Sequence, residues 1–484
     1  LTVIYFQFFF KNFVISERMN KKKLLYHYLI SDILASLVVW VLFMIFRKIV
    51  NDAAIFENVQ IFFPNYNYFS SLILFPLSCI VVHYLSGFYL YPEKLSGIKI
   101  FFTTFVACLI ISIVIFFVLM LDDIVVSYKY YYYSLAVLFG LLFLFTYLPR
   151  LIIYSNVKSN YRSKKWTIPT LIIGTGHNAL RIGNELAKAA PEKTVVGYVE
   201  TDHEKLVPSE MILGNLHQID KVVEKNNIQE AIIALDQTDD YQLFSIINLL
   251  YRFNIDIQFT PRLYEILTGS ARINNLSISP LVSITDIKMP DWEQSVKRAF
   301  DIVFSLLALI LLSPVLLYFM IRIKADSKGP VFYLQERIGR YGRPFNIIKF
   351  RTMFEGSENG VPRLSNPNDS RITNIGKKLR KYRIDEIPQF INVLLGHMSI
   401  VGPRPERRYY IQQIVQEAPY YCLLYKIRPG LTSWGPIRIG YSDSIEKMIE
   451  RLNYDIIYLE SMSLITDLKI LLLTLEIIFK GKGV

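Results

Sequence analysis

The feature that most constrains this chain is an apolar run, Ala299–Ile323, interrupted near its middle by Ser313-Pro314. Bases flank it on both sides: Lys297 and Arg298 before it, Arg322 and Lys324 at its close. A helix rises ~1.5 Å per residue, so ~20 apolar residues cross a ~30 Å hydrocarbon core. The run is long enough to span, but basic flanks are retained on the cytoplasmic side, and here both flanks are basic. Pro314 lacks an N–H and crowds the carbonyl of Ile310, so a kink belongs there. Two short helical arms meeting at Ser313-Pro314 would enter one leaflet and return to the same face. The expectation is a re-entrant anchor.

A chain of 484 residues is too long for one ordinary domain, and three or four units are expected. Its hydrophobic fraction of 52% and positive mean hydropathy argue for an integral membrane protein. The net charge of +12 suits a protein pressed against anionic lipid and handling phosphorylated substrates. Nucleic acid is not expected as a partner, because the bases are spread along a membrane-bound chain. Three Cys residues, two in apolar segments and Cys422 alone, give neither a disulfide framework nor a thiolate metal site, and the six His residues show no zinc spacing.

Four spans are expected at Leu24–Phe46, Tyr68–Tyr89, Ile100–Leu121 and Tyr132–Tyr154. Bases cluster before the first (Lys11, Arg18, Lys21–Lys23) and after the fourth (Arg150, Lys158, Arg162, Lys164, Lys165), whereas the loop 121–129 carries Asp122 and Asp123. This bias places the N-terminus and everything after Arg150 in the cytoplasm. Leu1–Phe10 is apolar without a basic leader or small-residue cleavage site, so it does not read as a cleaved signal. No charge is expected deep in the spans, which favours an anchoring bundle over a transport path.

From Trp166 short strands alternate with helices. Thr167–Ile173, Val195–Val199, Ala231–Leu235 and Ile255–Phe259 read as strands, separated by stretches such as the helix Gln242–Phe253. That order implies a parallel, doubly wound sheet. The first strand ends in Gly174-Thr-Gly176-His-Asn-Ala179, a weak phosphate-cradle signal for which a tight turn with no ligand has at least as good a claim as dinucleotide binding. Ala179 stands at the third glycine position, and Glu200 and Asp202 come later than a ribose-binding acid should. Ile273–Trp292 reads as a linker. At the far end Met462–Phe479 is an apolar helix interrupted by Asp467, Lys469 and Glu476, with interfacial and buried-core readings equally weighted.

Chemistry concentrates between Gln335 and Trp434. Gln335-Glu-Arg337-Ile-Gly339 is followed by Lys349-Phe350-Arg351-Thr352, then Asp369-Ser-Arg371 and a basic helix Gly376–Arg383. Asp385-Glu386-Ile-Pro388-Gln389 leads to Gly402-Pro403-Arg404-Pro405-Glu406 and to Arg428-Pro429-Gly430-Leu431. The planar fork of Arg binds phosphate oxygens in two-pronged fashion, and adjacent Pro or Gly aims it. Asp385-Glu386 amid so many cations suits a divalent metal or a carboxylate nucleophile. Taken singly, an Asp-Glu pair is usually a solvated surface pair, and Arg371, Arg380 and Arg383 would face lipid headgroups. Their convergence beside an anchor favours a site.

On these motifs the chain from Lys297 onward resembles the bacterial sugar transferase family, the monotopic polyprenyl-phosphate phosphoglycosyl transferases. The preceding spans and sheet look like its long-form members. The resemblance implies a four-helix transmembrane bundle (1–165), a Rossmann-like α/β domain (166–290), a linker with a re-entrant membrane helix (291–325) and a mostly helical α+β catalytic domain (326–484) with an interfacial C-terminal helix. It implies transfer of a sugar-1-phosphate from a UDP-sugar to undecaprenyl phosphate at the cytoplasmic face of the bacterial inner membrane, with release of UMP, as the first membrane step of exopolysaccharide, capsule or O-antigen assembly. By motif, Asp385 would be the nucleophile and Glu386 its dyad partner, with Mg²⁺ held by the dyad, most directly Asp385. Lys349, Arg351, Arg380, Gln389, Pro403, Arg404, Arg428, Gly430 and Leu431 would bind substrate, and Ser313-Pro314 matches the helix-breaking pair. A homodimer is implied as well. His397 replaces an Asp common in the family. Two other readings are a membrane-anchored NAD-dependent sugar-nucleotide epimerase or dehydratase and a non-catalytic scaffold. The first lacks a Tyr-x-x-x-Lys pair downstream of Gly174.

Overall fold

The computed structural model describes residues 21–55, 66–120, 129–201, 205–236, 239–261, 280–357, 369–440 and 444–479. The N-terminal stretch with Lys11 and Arg18, the acids Asp122 and Asp123, Asp202 and part of the expected linker lie outside them. The chain divides into two compact units: residues 1–167 with 291–296, and 168–290 with 297–484.

The first unit is built on helices α1 (Lys21–Ile55), α2 (Tyr66–Leu85), α3 (Gly97–Met120) and α4 (Lys129–Arg162). Three are long and apolar enough to cross a membrane. The apolar stretch Ser70–Leu85 of α2 is shorter. The expectation of charge-free spans fails here. Asp32 of α1 and Arg150 of α4 form a fully buried ion pair, with Arg150 Nε and Nη2 at 2.9 and 2.6 Å from the two carboxylate oxygens. Tyr89 donates to the same carboxylate at 2.5 Å, Arg150 donates to Thr104 at 2.8 Å, and its guanidinium lies 3.7 Å from the centre of the Phe88 ring. The two charges offset one another, and Tyr89 and Thr104 add hydrogen bonds to them. The pair cross-links helices, which keeps the anchoring reading intact.

The second unit opens on a six-stranded sheet. Its strands are β1 (Ile168–Ile173), β2 (Lys193–Glu200), β3 (Ile212–Asn215), β4 (Glu230–Ile233), β5 (Asp256–Phe259) and β6 (Val282–Ser283), ordered 3-2-1-4-5-6. All neighbours are parallel except β5–β6. The helices between strands are α5 (His177–Ala189), α6 (Ile219–Lys225) and α7 (Asp240–Tyr251). The near-continuous apolar runs of β1 and β4 reflect burial on both faces. Two elements escaped sequence reading: β3, four residues with a central glycine, and β6, which falls inside the expected linker and closes the sheet edge. At the Gly174–Gly176 turn, Asp236 accepts from His177 N at 2.6 Å and from Asn178 N at 2.7 Å.

The apolar run is two helices, α8 (Asp291–Leu311) and α9 (Ser313–Asp326), bent by 60° at Leu312. Pro314 opens α9, where its missing N–H costs nothing, and Ser313 Oγ donates to the carbonyl of Ile310 at 2.7 Å. The far half of α8 and the start of α9 leave Leu307, Ile310, Leu311 and Leu317 exposed. The base of α8 is instead tied to polar groups. Asp301 accepts from Ser399 Oγ at 2.7 Å and Ile400 N at 3.1 Å, and Arg298 donates to the carbonyls of Val393 and Leu394.

Beyond it come the hairpin β7 (Phe332–Ile338) and β8 (Pro344–Phe350), α10 (Asn374–Lys381), α11 (Gln389–Leu394), β9 (Ser399–Val401), α12 (Arg408–Glu417), a 3₁₀ segment Pro419–Lys426, β10 (Gly430–Thr432), α13 (Trp434–Ile439), α14 (Ile445–Glu460) and α15 (Leu464–Phe479). Both readings of the last helix have support. Ile470 is fully buried and Asp467 accepts from Lys297 and Tyr458, while Ile465, Leu468, Leu472 and Leu475 form an exposed apolar stripe.

Candidate active site

Three pieces of backbone bring the site together. β8 carries Lys349 and, just past its end, Arg351 and Thr352. Thr373 caps α10 through a hydrogen bond from Gly376 N at 3.0 Å. Gly376 packs against the Thr352 carbonyl, where any Cβ would collide. This close approach sets Arg380 so that its Nε donates to Thr352 Oγ1 at 2.9 Å. After α10 the chain turns at Arg383, a non-glycine residue at φ +54°, and enters a single 3₁₀ turn, Ile384–Glu386, that presents both acids. A side chain in the left-handed region is strained, and such strain is held only where surrounding contacts fix it.

Gly402-Pro-Arg-Pro forms the third piece. β9 and β10 pair in parallel, Gly430 N donates to the Pro403 carbonyl at 2.8 Å, and Gly430 meets the backbone of Gly402 too closely for a side chain on either. Arg404 is thereby aimed at Glu386, with Nη2 3.0 Å from Oε1. Lys349 Nζ reaches that same oxygen at 3.2 Å, and Arg383 reaches Oε2 at 3.4 Å.

The two acids are therefore unequal. Burial alone would raise the Glu386 carboxyl, but Arg404, Lys349 and Arg383 outweigh it and hold the group well below the usual range. Asp385 makes no hydrogen bond or ion pair with a described residue. Burial, with help from the Glu386 charge, pushes it up to about 6. Lys349 is depressed by burial, partly offset by Glu386. Asp385 opens onto a cavity of about 570 Å³ whose wall includes Tyr333, Lys349, Arg380, Arg383, Glu386, Arg404 and Arg407.

Of the residues singled out by sequence, Lys349, Arg351, Arg380, Asp385, Glu386 and Arg404 line this cavity; Gln389, Pro403, Arg428, Gly430 and Leu431 do not. Arg351 turns its guanidinium to the Ser327 and Lys328 carbonyls, tying β8 to the end of α9. Arg428 donates to the Gly396 carbonyl at 3.0 Å and stands behind the Arg404 loop. His397 packs on Phe345, ring centres 5.8 Å apart. Sequence reading gave no site role to Arg383, nor to the ion network in which Glu406 joins Arg337 and Arg451. The signal for Arg383 lay in its place two residues before Asp385.

No group of three or more His, Cys, Asp or Glu side chains converges among the described residues. An all-protein metal cage is therefore not the pattern. The unengaged Asp385 carboxylate fits a Mg²⁺ ion that takes one carboxylate and completes its shell with water and substrate phosphate. Glu386, engaged on both oxygens by cations, fits it less well.

A carboxylate ringed by fixed cations beside a bent apolar helix defines a membrane-associated protein suited to phosphate-bearing substrates. The model of the bacterial sugar transferase family matches residues 292–481, and that of a CoA-binding domain matches residues 87–261. The UDP-glucose:undecaprenyl-phosphate glucose-1-phosphate transferase of Escherichia coli K12 is 35% identical over 270 residues, 55% of this chain and 58% of the relative. An Aeromonas hydrophila UDP-N-acetylgalactosamine-undecaprenyl-phosphate N-acetylgalactosaminephosphotransferase is 36% identical over 230 residues, 48% of this chain and 54% of the relative. The exopolysaccharide production protein PSS of Rhizobium leguminosarum bv. phaseoli is 39% identical over 195 residues, 39% of this chain and 97% of the relative. The chain belongs to the bacterial sugar transferase family. It spans a little over half the length of the first two of these relatives.

Proposed function

We infer that the protein transfers a sugar-1-phosphate from a UDP-hexose to undecaprenyl phosphate and releases UMP. The observation that carries this reading is the pairing of a neutralised Glu386 with an unengaged Asp385 inside a ring of cations. An Asp385 carboxylate oxygen attacks the sugar-bearing phosphorus. The bond to the bridging oxygen breaks, UMP leaves, and an aspartyl phosphosugar remains. An oxygen of the lipid phosphate then attacks the same phosphorus, the acyl-phosphate bond breaks, and the carboxylate is restored. Phosphoryl transfer needs charge stabilisation and alignment above all. Arg404, Arg380 and Lys349 supply fixed positive charge, and Arg383 presents the acids. Mg²⁺ would be held by Asp385 and the diphosphate oxygens and would offset charge on the phosphates.

In this reading α8 and α9 form a re-entrant hairpin in the cytoplasmic leaflet of the bacterial inner membrane, with α15 lying at its surface. The 60° bend and the apolar exposure around it support that arrangement. Helices α1–α4 supply four spans, the shorter α2 included, and the product feeds exopolysaccharide, capsule or O-antigen assembly by a homodimeric enzyme. The test is release of UMP by purified full-length protein given Mg²⁺, undecaprenyl phosphate and a panel of UDP-sugars. No release from any of them by a folded preparation would overturn the reading.

A further inference from the structure

We propose that the six-stranded sheet serves this chain as a buttress for the Arg428–Gly430 turn, and through it for Arg404, and not as a site for a dinucleotide or coenzyme A. Two independent observations carry the proposal. The first is that the position a phosphate would take at the glycine turn is filled from within. The Asp236 carboxylate accepts two of the N–H groups at the start of α5, those of His177 and Asn178, Asn178 Nδ2 donates back to the Leu235 carbonyl at 3.0 Å, and Gly176 is so close to Asp236 that a Cβ there would collide with the carboxylate. An anion at a helix N-terminus is favoured by those N–H groups and the helix dipole. A resident carboxylate consumes the donors and adds repulsion toward any incoming phosphate.

The second observation is a shared core. Cys422, in the 3₁₀ segment Pro419–Lys426, is fully buried in the same cluster as Leu250, Ile257 and Ile284 of the sheet side, with Leu423 and Tyr425 packed against it. Asn248 of α7 donates to the Pro419 carbonyl at 2.9 Å, and Phe244 and Tyr251 meet Tyr420 and Tyr425 edge to face, at 6.3 and 5.9 Å. From this held segment the chain runs directly into the turn behind the site. Arg340 fixes the Lys426 carbonyl, Ser399 N donates to the Pro429 carbonyl, and Gly430 N donates to that of Pro403, one residue before Arg404. Well-packed contacts of this kind transmit position because interiors are close to crystal density.

The proposal rests on the transferase reading for its kinetic readout alone. In full-length protein, Phe244→Ala and Asn248→Ala are compared with wild type by hydrogen–deuterium exchange and by UDP-sugar kinetics. Exchange across 427–432 and 402–406 is expected to quicken several-fold while strands β1 and β4 keep their protection. The kcat falls several-fold with KM for the UDP-sugar little changed, and Phe244→Leu restores both. Should Phe244→Ala loosen the sheet itself, Asn248→Ala, which deletes a single hydrogen bond, decides the matter. Unchanged exchange at 402–406 in both variants would overturn the buttress. Saturable binding of NAD or coenzyme A to wild type, measured by calorimetry, would overturn the filled turn. If no UDP-sugar is turned over, the exchange result still decides the buttress, and the failure falls on the transferase reading.

Discussion

The guanidinium of Arg404 lies 3.0 Å from Oε1 of Glu386, so the second acid of the pair is held by cations, while the Asp385 carboxylate has no hydrogen bond or ion pair among the described residues. The asymmetry divides labour between neighbours in sequence. Glu386 collects the cations, and Asp385 faces the cavity.

Asp385→Asn should abolish UMP release without weakening the fold. The folded carboxyl sits at about 6, above its unfolded 3.8, so ionising it costs stability, and that cost grows as pH rises from 3.8 through about 6. A neutral amide escapes the cost. The melting temperature of the variant at neutral pH should equal or exceed that of wild type.

Transfer should increase as pH climbs through about 6 and level off above it, since in the proposed mechanism the ionised Asp385 is the attacking form. Glu386→Gln should move this limb to lower pH, because the Glu386 charge is one cause of the raised value. The same variant should be less stable. Glu386 is held well below 4.5, so it contributes stability above that pH, lost as pH falls through its depressed value. A pH–rate profile beside a pH series of melts checks both signs.

Arg404→Ala should lower kcat by roughly 10²–10³, the usual loss on removing one preorganised charge donor. Arg404→Lys should recover little of it, because an ammonium does not reproduce the directed guanidinium contact. Single-turnover UMP release separates this from a loss of binding.

Asp32→Ala should cost about 3–5 kcal/mol by stranding the Arg150 charge among helices. Folded yield in membranes should fall sharply. Asp32→Leu combined with Arg150→Met should restore most of it, with transfer unaffected.

Trp292→Cys, in the first turn of α8, and Lys328→Cys, just past α9, both at exposed positions, should react with an impermeant thiol reagent from the same side of the membrane. The three native cysteines are buried and add little background.

Much of this was legible in the sequence because the relevant signals are local. Apolar length, basic flanks and Ser313-Pro314 gave the bent pair, and strand–helix alternation gave the parallel sheet. The motifs from Lys349 to Arg404 gave the cavity wall. What escaped depends on partners far apart in the chain. Arg150 reads as a base flanking the fourth span and Asp32 is passed over inside the first, and only folding shows them matched. β6 is too short for a periodic signal. Arg428, Gly430 and Leu431 stand in a motif like that of a ligand site, yet none of them lines the cavity: Arg428 donates to the Gly396 carbonyl, Gly430 N to that of Pro403, and Leu431 packs against the core.

Asp301 ties the greasy hairpin to β9 through Ser399 and Ile400. In the proposed re-entrant arrangement, the height of the carboxylates above the hydrocarbon is then set by covalent and hydrogen-bonded geometry and does not adjust to the cargo. On that reading an acceptor is chosen by where its phosphate floats, so trimming isoprene units from the buried end of the lipid should matter far less than altering its headgroup.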